Sequence, residues 1–366
     1  MSTAEAIDFR DELRSTARAF LARHCPPATV RAIGDGADGS SLRAEIAALG
    51  WLGVEVPEAH GGLGAGAPEL MVLLEECGRA LVPVPVLAPA ALGVGALLAA
   101  PEPLQAEWLP RLAAGDAVVT AALGGPDGVP GTLGVSARAD GERVVLSGVS
   151  GFVCDLPVAD AVVVAAAEEG GGIGLFLVPA GTPGVTVEPL RVHDRTRSLG
   201  RLVLGGVAVA REQRVGSRAV AELLVDRGAL AVAAESVGGA DRVLEITLEH
   251  LRAREQFGRP LGSFQALKHR CADMFLALTA ARSAVEHAAS VLHQPVGRAA
   301  AVSIAKSCAA EAYAHIASEG VQMHGGIGFT WEHDMHLHLK RAKLGEALFG
   351  DADWHRDRID RLIWAG

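Results

Sequence analysis

The spacing of apolar residues changes twice along this 366-residue chain, and that change limits the fold more than any other feature. From Ile7 to about Leu112, apolar positions recur three and four apart, the period of one helix face. Leu13, Ala17, Phe20 and Leu21 make one such face, and Glu69 to Ala80 reads as a further helix, stopped by Pro83. From about Asp116 to Arg211 the pattern becomes short β-branched runs separated by Gly, Pro and Asp. They are Arg143–Val145, Asp160–Val164, Leu175–Val178, Val185–Val187 and Leu202–Leu204, the punctuation of a small sandwich or barrel. From about Ser217 the helical period returns in longer stripes. Val237, Ala240, Leu244, Leu248 and Leu251 form one stripe, and Phe264, Leu267, Cys271, Met274, Leu278 and Val285 another. Two long stripes joined by a short Gly/Pro loop specify an antiparallel helix pair in a bundle. The expected architecture is mostly α with a central β-domain. A helical N-terminal domain spans 1–115, a small β-sandwich or barrel 116–212, and a C-terminal four-helix bundle 213–366.

Composition removes several function classes. Half the residues are hydrophobic and 21% are charged, so the chain has ample apolar surface to bury and is not disordered. A net charge of -10 without a long basic run argues against a nucleic-acid partner, which needs clustered Lys and Arg. The five cysteines, at 25, 77, 154, 271 and 308, never fall at CxxC spacing. That argues against a disulfide scaffold or a cysteine zinc site and fits a cytoplasmic location. Met1 to Arg10 is acidic and mixed, unlike a secretory leader. Leu81 to Ala100 carries no charge, but Pro83, Pro85 and Pro89 interrupt it, so we expect a buried connector and no membrane span. Glu169–Gly174 is glycine-rich, yet a strand follows it rather than a helix, which reads as a hairpin turn and not a phosphate loop. His333, His336 and His338 do not share one helix face, and no Cys or carboxylate set completes a zinc site, so no metal is expected.

Three motifs narrow the reading. Leu49-Gly50-Trp51-Leu52-Gly53 is followed by Pro57-Glu58-Ala59-His60-Gly61-Gly62-Leu63-Gly64. Arg254-Glu255-Gln256-Phe257-Gly258-Arg259-Pro260-Leu261 leads to Phe264-Gln265, and Gln322-Met323-His324-Gly325-Gly326-Ile327-Gly328-Phe329 comes later. Taken singly they are a turn, a solvated helix-end arginine and a helix-breaking loop. Taken together, in this order and spacing, they resemble the acyl-CoA dehydrogenase family over nearly the whole chain.

That resemblance implies a set of roles. It implies FAD as cofactor, an acyl-CoA substrate, and an electron-transfer flavoprotein or similar acceptor. It also implies a homotetramer or heterotetramer in which Arg254, Phe257, Gln265, Gln322, Gly325 and Gly326 meet the FAD of a neighbouring subunit. An arginine suits a pyrophosphate because it offers fixed, charge-assisted donors, and glycine lets backbone come close to a dinucleotide. The reaction needs a carboxylate to take the acidic proton beside the thioester carbonyl, a hydride acceptor at the next carbon, and donors at the carbonyl oxygen. In the family these donors are the flavin's ribityl chain and one backbone N–H.

The chain departs from the family pattern at three places. Where many members carry the base as Glu before a glycine, Phe349 precedes Gly350, and its backbone N–H is all that remains for the carbonyl. Other members place the base in an acid–Arg pair at the opening of the first bundle helix. Val225-Asp226-Arg227 stands there, so Asp226 is the candidate base, with Arg227 beside it favouring the charged form. The plainer reading of Asp226 is a helix-start acid favoured by the dipole. Leu123–Gly131 replaces the family's Thr-Glu-Pro and Gly-Ser-Asp run, and Gly151-Phe152-Val153-Cys154-Asp155 replaces the Trp and Thr that lie against the flavin. Phe152 can stack there, while Cys154 is a weak donor. Two alternatives follow: a non-catalytic, FAD-sharing subunit of a mixed tetramer, or a dehydrogenase of carrier-protein-bound acyl groups.

Overall fold

The computed structural model describes residues 3–364, and the side chains of 9–364. Met1 and Ser2, part of the segment read against a secretory leader, lie outside the described residues. Six helices open the chain: α1 Thr3–His24, α2 Pro27–Gly34, α3 Ser40–Ala48, α4 Ala67–Arg79, α5 Val94–Leu97 and α6 Glu102–Ala113. Eight strands follow: β1 Val119–Ala122, β2 Val135–Asp140, β3 Arg143–Cys154, β4 Ala161–Glu168, β5 Ile173–Pro179, β6 Val185–Pro189, β7 Leu199–Ala210 and β8 Arg214–Ser217. Then come α7 Arg218–Ala253, the two-residue strands β9 Glu255–Gln256 and β10 Arg259–Pro260, α8 Gln265–Val291, α9 Arg298–His324, α10 Met335–Ala347 and α11 Ala352–Trp364. The helix–strand–helix order expected from apolar spacing is therefore present. Among the described residues no helix is long and apolar enough to cross a membrane, and Pro83–Gly95 packs as the expected buried connector.

The chain divides into two compact units. One holds Met1–Asp35, Met71–Val82 and Ala229–Gly366; the other holds Gly36–Leu70 and Pro83–Gly228. The second unit is organised by one mixed sheet in the order β6-β7-β3-β2-β4-β5-β8, with β1 beside β4. β4 pairs in parallel with β1 at one end and with β2 at the other, while β5 runs antiparallel along its opposite edge. Leu146, Val164, Phe176, Val178, Leu202 and Val207 fill the sheet's core at no more than 1% exposure. The glycine run at 169–174 forms the β4–β5 hairpin turn: Glu168 N–H donates to the Gly172 carbonyl, and Gly170 and Gly171 take φ of +93° and +90°. It is a turn because two successive positive-φ residues match the twist of paired strands.

The first unit is a bundle centred on α9. Helices α8, α10 and α11 pack on it, and α7 reaches it through Gly239 and Val243, beside its apolar stripe. Gly238 and Gly239 explain how close these helices come. A Cβ on Gly238 would fall 1.7 Å from the Glu75 carbonyl oxygen of α4, and one on Gly239 would fall 2.4 Å from the Tyr313 ring of α9. The acids beside this crossing are paired, as buried charge requires. Glu75 bridges to Arg14 at 2.8 Å and Arg282 at 3.0 Å, and Glu76 holds Arg18 at 2.7 Å. Gly238→Ala is expected to destabilise the protein by about 3 kcal/mol, the upper range for overpacking, because backbone must move. Chemical denaturation measures it, with Gly181→Ala, where a Cβ meets nothing, as the neutral control.

Candidate active site

The bundle motif and the C-terminal motif converge at one end of the first unit. Helix α7 ends at Ala253, and Arg254 follows, its side chain exposed. Helix α9 ends where Gly325 turns to φ +62°, a conformation that costs glycine little, and 325–329 continues as a short 3-10 turn. The two ends are joined by a stack of imidazoles. His250 of α7 lies 4.3 Å from His324 of α9, and His324 lies 4.6 Å from His333. His324 Nδ1–H donates to the Gly320 carbonyl at 2.7 Å, so Nε2 is left as a buried acceptor with no protein donor. Burial, aided by His250 and His333, drives the His324 imidazole down to about 4.

The surface at this end is open. Gln322, Gln265, Gly325 and Gly326 are exposed, and a Cβ on either glycine would meet nothing within 4 Å. Gly328 differs: a Cβ there would fall 2.8 Å from the Val321 carbonyl, so it serves packing. Between β9 and β10 the chain turns on Phe257 and Gly258, at φ +54° and +75°. A bulky residue at positive φ is an outlier that costs about 1–3 kcal/mol and points to a role for its side chain. The Phe257 ring is 91% exposed, resting edge-on against Phe264. Ile327, Phe329 and Trp331, in and after the C-terminal motif, are also exposed apolar side chains.

In the other unit Phe152 is also left-handed, at φ +53°, where a register shift in the β3–β7 pairing lifts it from the ladder. Its ring is exposed, and Gly128 lies against it. The loop replacing the family run is held by Ser150 Oγ donating to the Gly124 carbonyl at 2.8 Å and Gly151 N–H donating to the Gly125 carbonyl at 2.9 Å. Cys154 does not share the exposure of Phe152. Its side chain is buried, as is that of Val153 before it, where β3 pairs again with β7, and Thr120 Oγ1 donates to the Cys154 carbonyl at 2.6 Å.

Asp226 lies on the third turn of α7, not at the helix start, and is fully buried. The helix-start reading therefore loses its basis, since the dipole acts within the first turn. Arg227 is engaged elsewhere. Its Nε donates to the Ala91 carbonyl at 2.7 Å, and its two terminal nitrogens grip the Glu55 carboxylate, one at 3.2 Å. Apolar spacing overlooked Glu55, the buried partner of Arg227; a lone acid inside Gly53-Val54-Glu55-Val56 is its only signal. The three histidines of 333–338 have separate surroundings. His333 stacks on His324, His336 lies edge-on to Trp331, and His338 Nδ1 meets the Tyr313 hydroxyl at 2.9 Å. Among the described residues no group of three His, Cys, Asp or Glu is placed to hold a metal.

Comparison with known proteins matches this architecture. The family model for the acyl-CoA dehydrogenase N-terminal domain covers residues 8–116, and that for the acyl-CoA dehydrogenase C-terminal domain covers 216–363. The acyl-CoA dehydrogenase IpdE2 of Mycobacterium tuberculosis is 35% identical over 97% of both chains. The chain belongs to the acyl-CoA dehydrogenase family. FAD is the cofactor of these dehydrogenases. Among solved structures, the ChsE4-ChsE5 complex from Mycobacterium tuberculosis matches with a TM-score of 0.91 at 33% identity, over 98% of this chain and 97% of that one. A variant of the steroid ACAD Tcur3481-Tcur3483 matches with a TM-score of 0.89 at 32% identity, over 98% of each chain.

Two predictions follow from the motif face. Phe257→Asn, which tolerates the left-handed region, should leave the melting temperature unchanged or slightly higher while lowering flavin content, measured by absorbance after gel filtration. His324 gives a pH signature. The unfolded chain takes up a proton near 6.5 that the folded protein refuses until about 4, so stability should fall as pH drops through that window. His324→Gln should flatten this slope in denaturation curves collected between those pH values.

Proposed function

We propose that this chain is an FAD-binding subunit of an oligomeric acyl-CoA dehydrogenase, forming the α,β double bond of an acyl-CoA thioester with Asp226 as base. The observation that carries the reading is the outward face of Arg254, Phe257, Gln322, Gly325 and Gly326, built into one end of the bundle and open to a second subunit. Its donor set fits FAD: an exposed guanidinium for the pyrophosphate, two glycines that leave backbone accessible, and a strained, exposed ring for apolar contact. Bound FAD would supply the hydride acceptor for the β-carbon. The chain's own residues do the rest. The Asp226 carboxylate would take the α-proton, the exposed Phe152 ring would stack on the flavin, and the Phe349 N–H would donate to the thioester oxygen as negative charge grows there. Arg227, held by Glu55, keeps the backbone on which Asp226 sits fixed. Reoxidation falls to an electron-transfer flavoprotein or a similar acceptor. The two-component steroid ACAD among the matches extends the substrate reading to bulky acyl groups.

A second reading is favoured by Phe349, which cannot take a proton where many relatives carry Glu, and by the complete burial of Asp226. In that reading the chain lends its FAD-binding face to a catalytic partner, as one component of a pair like those named in the two matching complexes. Asp226→Asn separates the two. If this chain is catalytic, the variant keeps its flavin but is reduced by acyl-CoA at least about a hundredfold more slowly, since the loss of a catalytic base costs on that order. A variant reduced at the parent rate removes Asp226 from the mechanism. A parent that is never reduced, yet pairs with a homologous chain that is, supports the second reading.

A further inference from the structure

The turn after α10 is held by two buried titratable side chains that the reaction does not use. Leu348–Gly350 connects α10 to α11, with Phe349 at φ +57° and Gly350 at φ +94°. Lys306 of α9 is fully buried, the lone charge of Ala299–Ala310, and its Nζ donates to the Gly350 carbonyl at 2.9 Å and the Glu346 carbonyl at 3.3 Å. His355 of α11, also fully buried, places Nε2 3.1 Å from the Phe349 carbonyl and Nδ1 3.1 Å from Ser303 Oγ of α9. A carbonyl can only accept, so Nε2 carries the proton, and the Ser303 hydroxyl donates to Nδ1. The two carbonyls of the turn are thus occupied from behind. The Gly350 N–H closes the turn back onto the end of α10, while the Phe349 N–H has no backbone acceptor among the described residues. A free amide held rigidly at the tip of such a turn is a ready donor to an anionic oxygen.

We propose that Lys306, His355 and Ser303 are positioning residues that hold the turn so that the Phe349 amide is a preorganised donor for the thioester oxygen. The inference rests on the dehydrogenase reading above. Donors that are fixed before the reaction stabilise developing charge without reorganising, and an error of about an ångström in such a group costs on the order of a hundredfold in rate. The clamp keeps its protonation pattern at neutral pH. Burial, with the charge of Lys306 nearby, pushes His355 down to about 3, so its ring stays neutral and keeps its single donor on Phe349. Burial lowers Lys306 to about 8, while Asp351 and Glu346 pull it back toward the charged form. A cation at the carbonyl end of α10 is also favoured by the helix dipole.

The test uses four variants of the full-length, flavin-loaded protein. Lys306→Met and His355→Leu remove the donors, and Ser303→Ala removes only the hydroxyl that orients the ring. His355→Gln retains an N–H at the same reach. Two readouts are taken, beside melting temperature as a folding control. The first is hydrogen exchange in a peptide covering 348–352, without substrate. The second is flavin reduction by a panel of straight-chain and steroid side-chain acyl-CoA esters. Faster exchange in the first three variants is expected, with kcat reduced about a hundredfold and KM changed far less, because the donor acts on charge present only in the transition state. His355→Gln should stay close to the parent in both. Unchanged exchange in folded variants overturns the clamp. Faster exchange with unchanged reduction overturns its role at the thioester. A parent that is not reduced by any ester overturns the dehydrogenase reading, and with it the role of the turn, while the exchange data still decide whether the clamp exists. Should Lys306→Met fail to fold, Ser303→Ala and the His355 pair decide the same outcomes.

Discussion

Phe152, Phe257 and Phe349 each hold the backbone near φ +55°, where a bulky side chain costs about 1–3 kcal/mol, and the rest of the site depends on the structure that maintains them. Each is maintained differently. A register shift against β7 displaces Phe152 from its ladder, and the Gly124–Gly131 loop packs beneath it. The β9–β10 hairpin sets Phe257, with Gly258 completing the turn. Carbonyl contacts from Lys306 and His355 fix Phe349. Strain of this kind persists only where surrounding contacts determine the backbone completely, and these three residues are ones that family resemblance assigns to cofactor or substrate, unlike Leu81 and Asp155, which share the same φ.

The buried charges follow a related rule. A charge withdrawn from water needs full partnership, so each one fixes the geometry around it. Arg227 joins Glu55 to the Ala91 carbonyl and so locks the helix turn that carries Asp226. Glu75 and Glu76 draw Arg14, Arg18 and Arg282 into one network beside the Gly238 crossing. Lys306 differs, since its nearest partners are carbonyl groups rather than carboxylates, and its charge is spent on a turn. The same small residues that let helices approach also place these charges within reach of their partners, which ties packing to electrostatics in the bundle.

Much of this was legible in the sequence. Apolar period located the helices and strands, because each element buries one face and its spacing records that face. The turn at 169–174 was legible for the same reason, since glycine runs between strands answer a backbone demand. The residues proposed to meet FAD, Arg254, Gln322, Gly325 and Gly326, were legible only as motifs; spacing alone gives a loop. Three things were not legible. Cys154 was expected beside the flavin, but past the shift after Ser150 both Val153 and Cys154 are buried where β3 rejoins β7, and no local signal encodes that shift. Asp226 looked like a residue at a helix start, but α7 begins two turns earlier, at Arg218, with Glu222 before it. The pairings of Glu55 with Arg227 and of Lys306 with Gly350 join residues far apart in the chain, and single-residue patterns hold no record of such contacts.

The central claim is that this chain carries an FAD-binding face that a second subunit must complete. Sedimentation of the purified, flavin-loaded chain, followed at both the protein and the flavin absorbance bands, tests it most directly. The account predicts that flavin travels with an oligomer, and that Arg254→Ala separates the two signals while the melting temperature of the protein holds. Flavin bound at full occupancy to a monomer, or unchanged by that substitution, would contradict it.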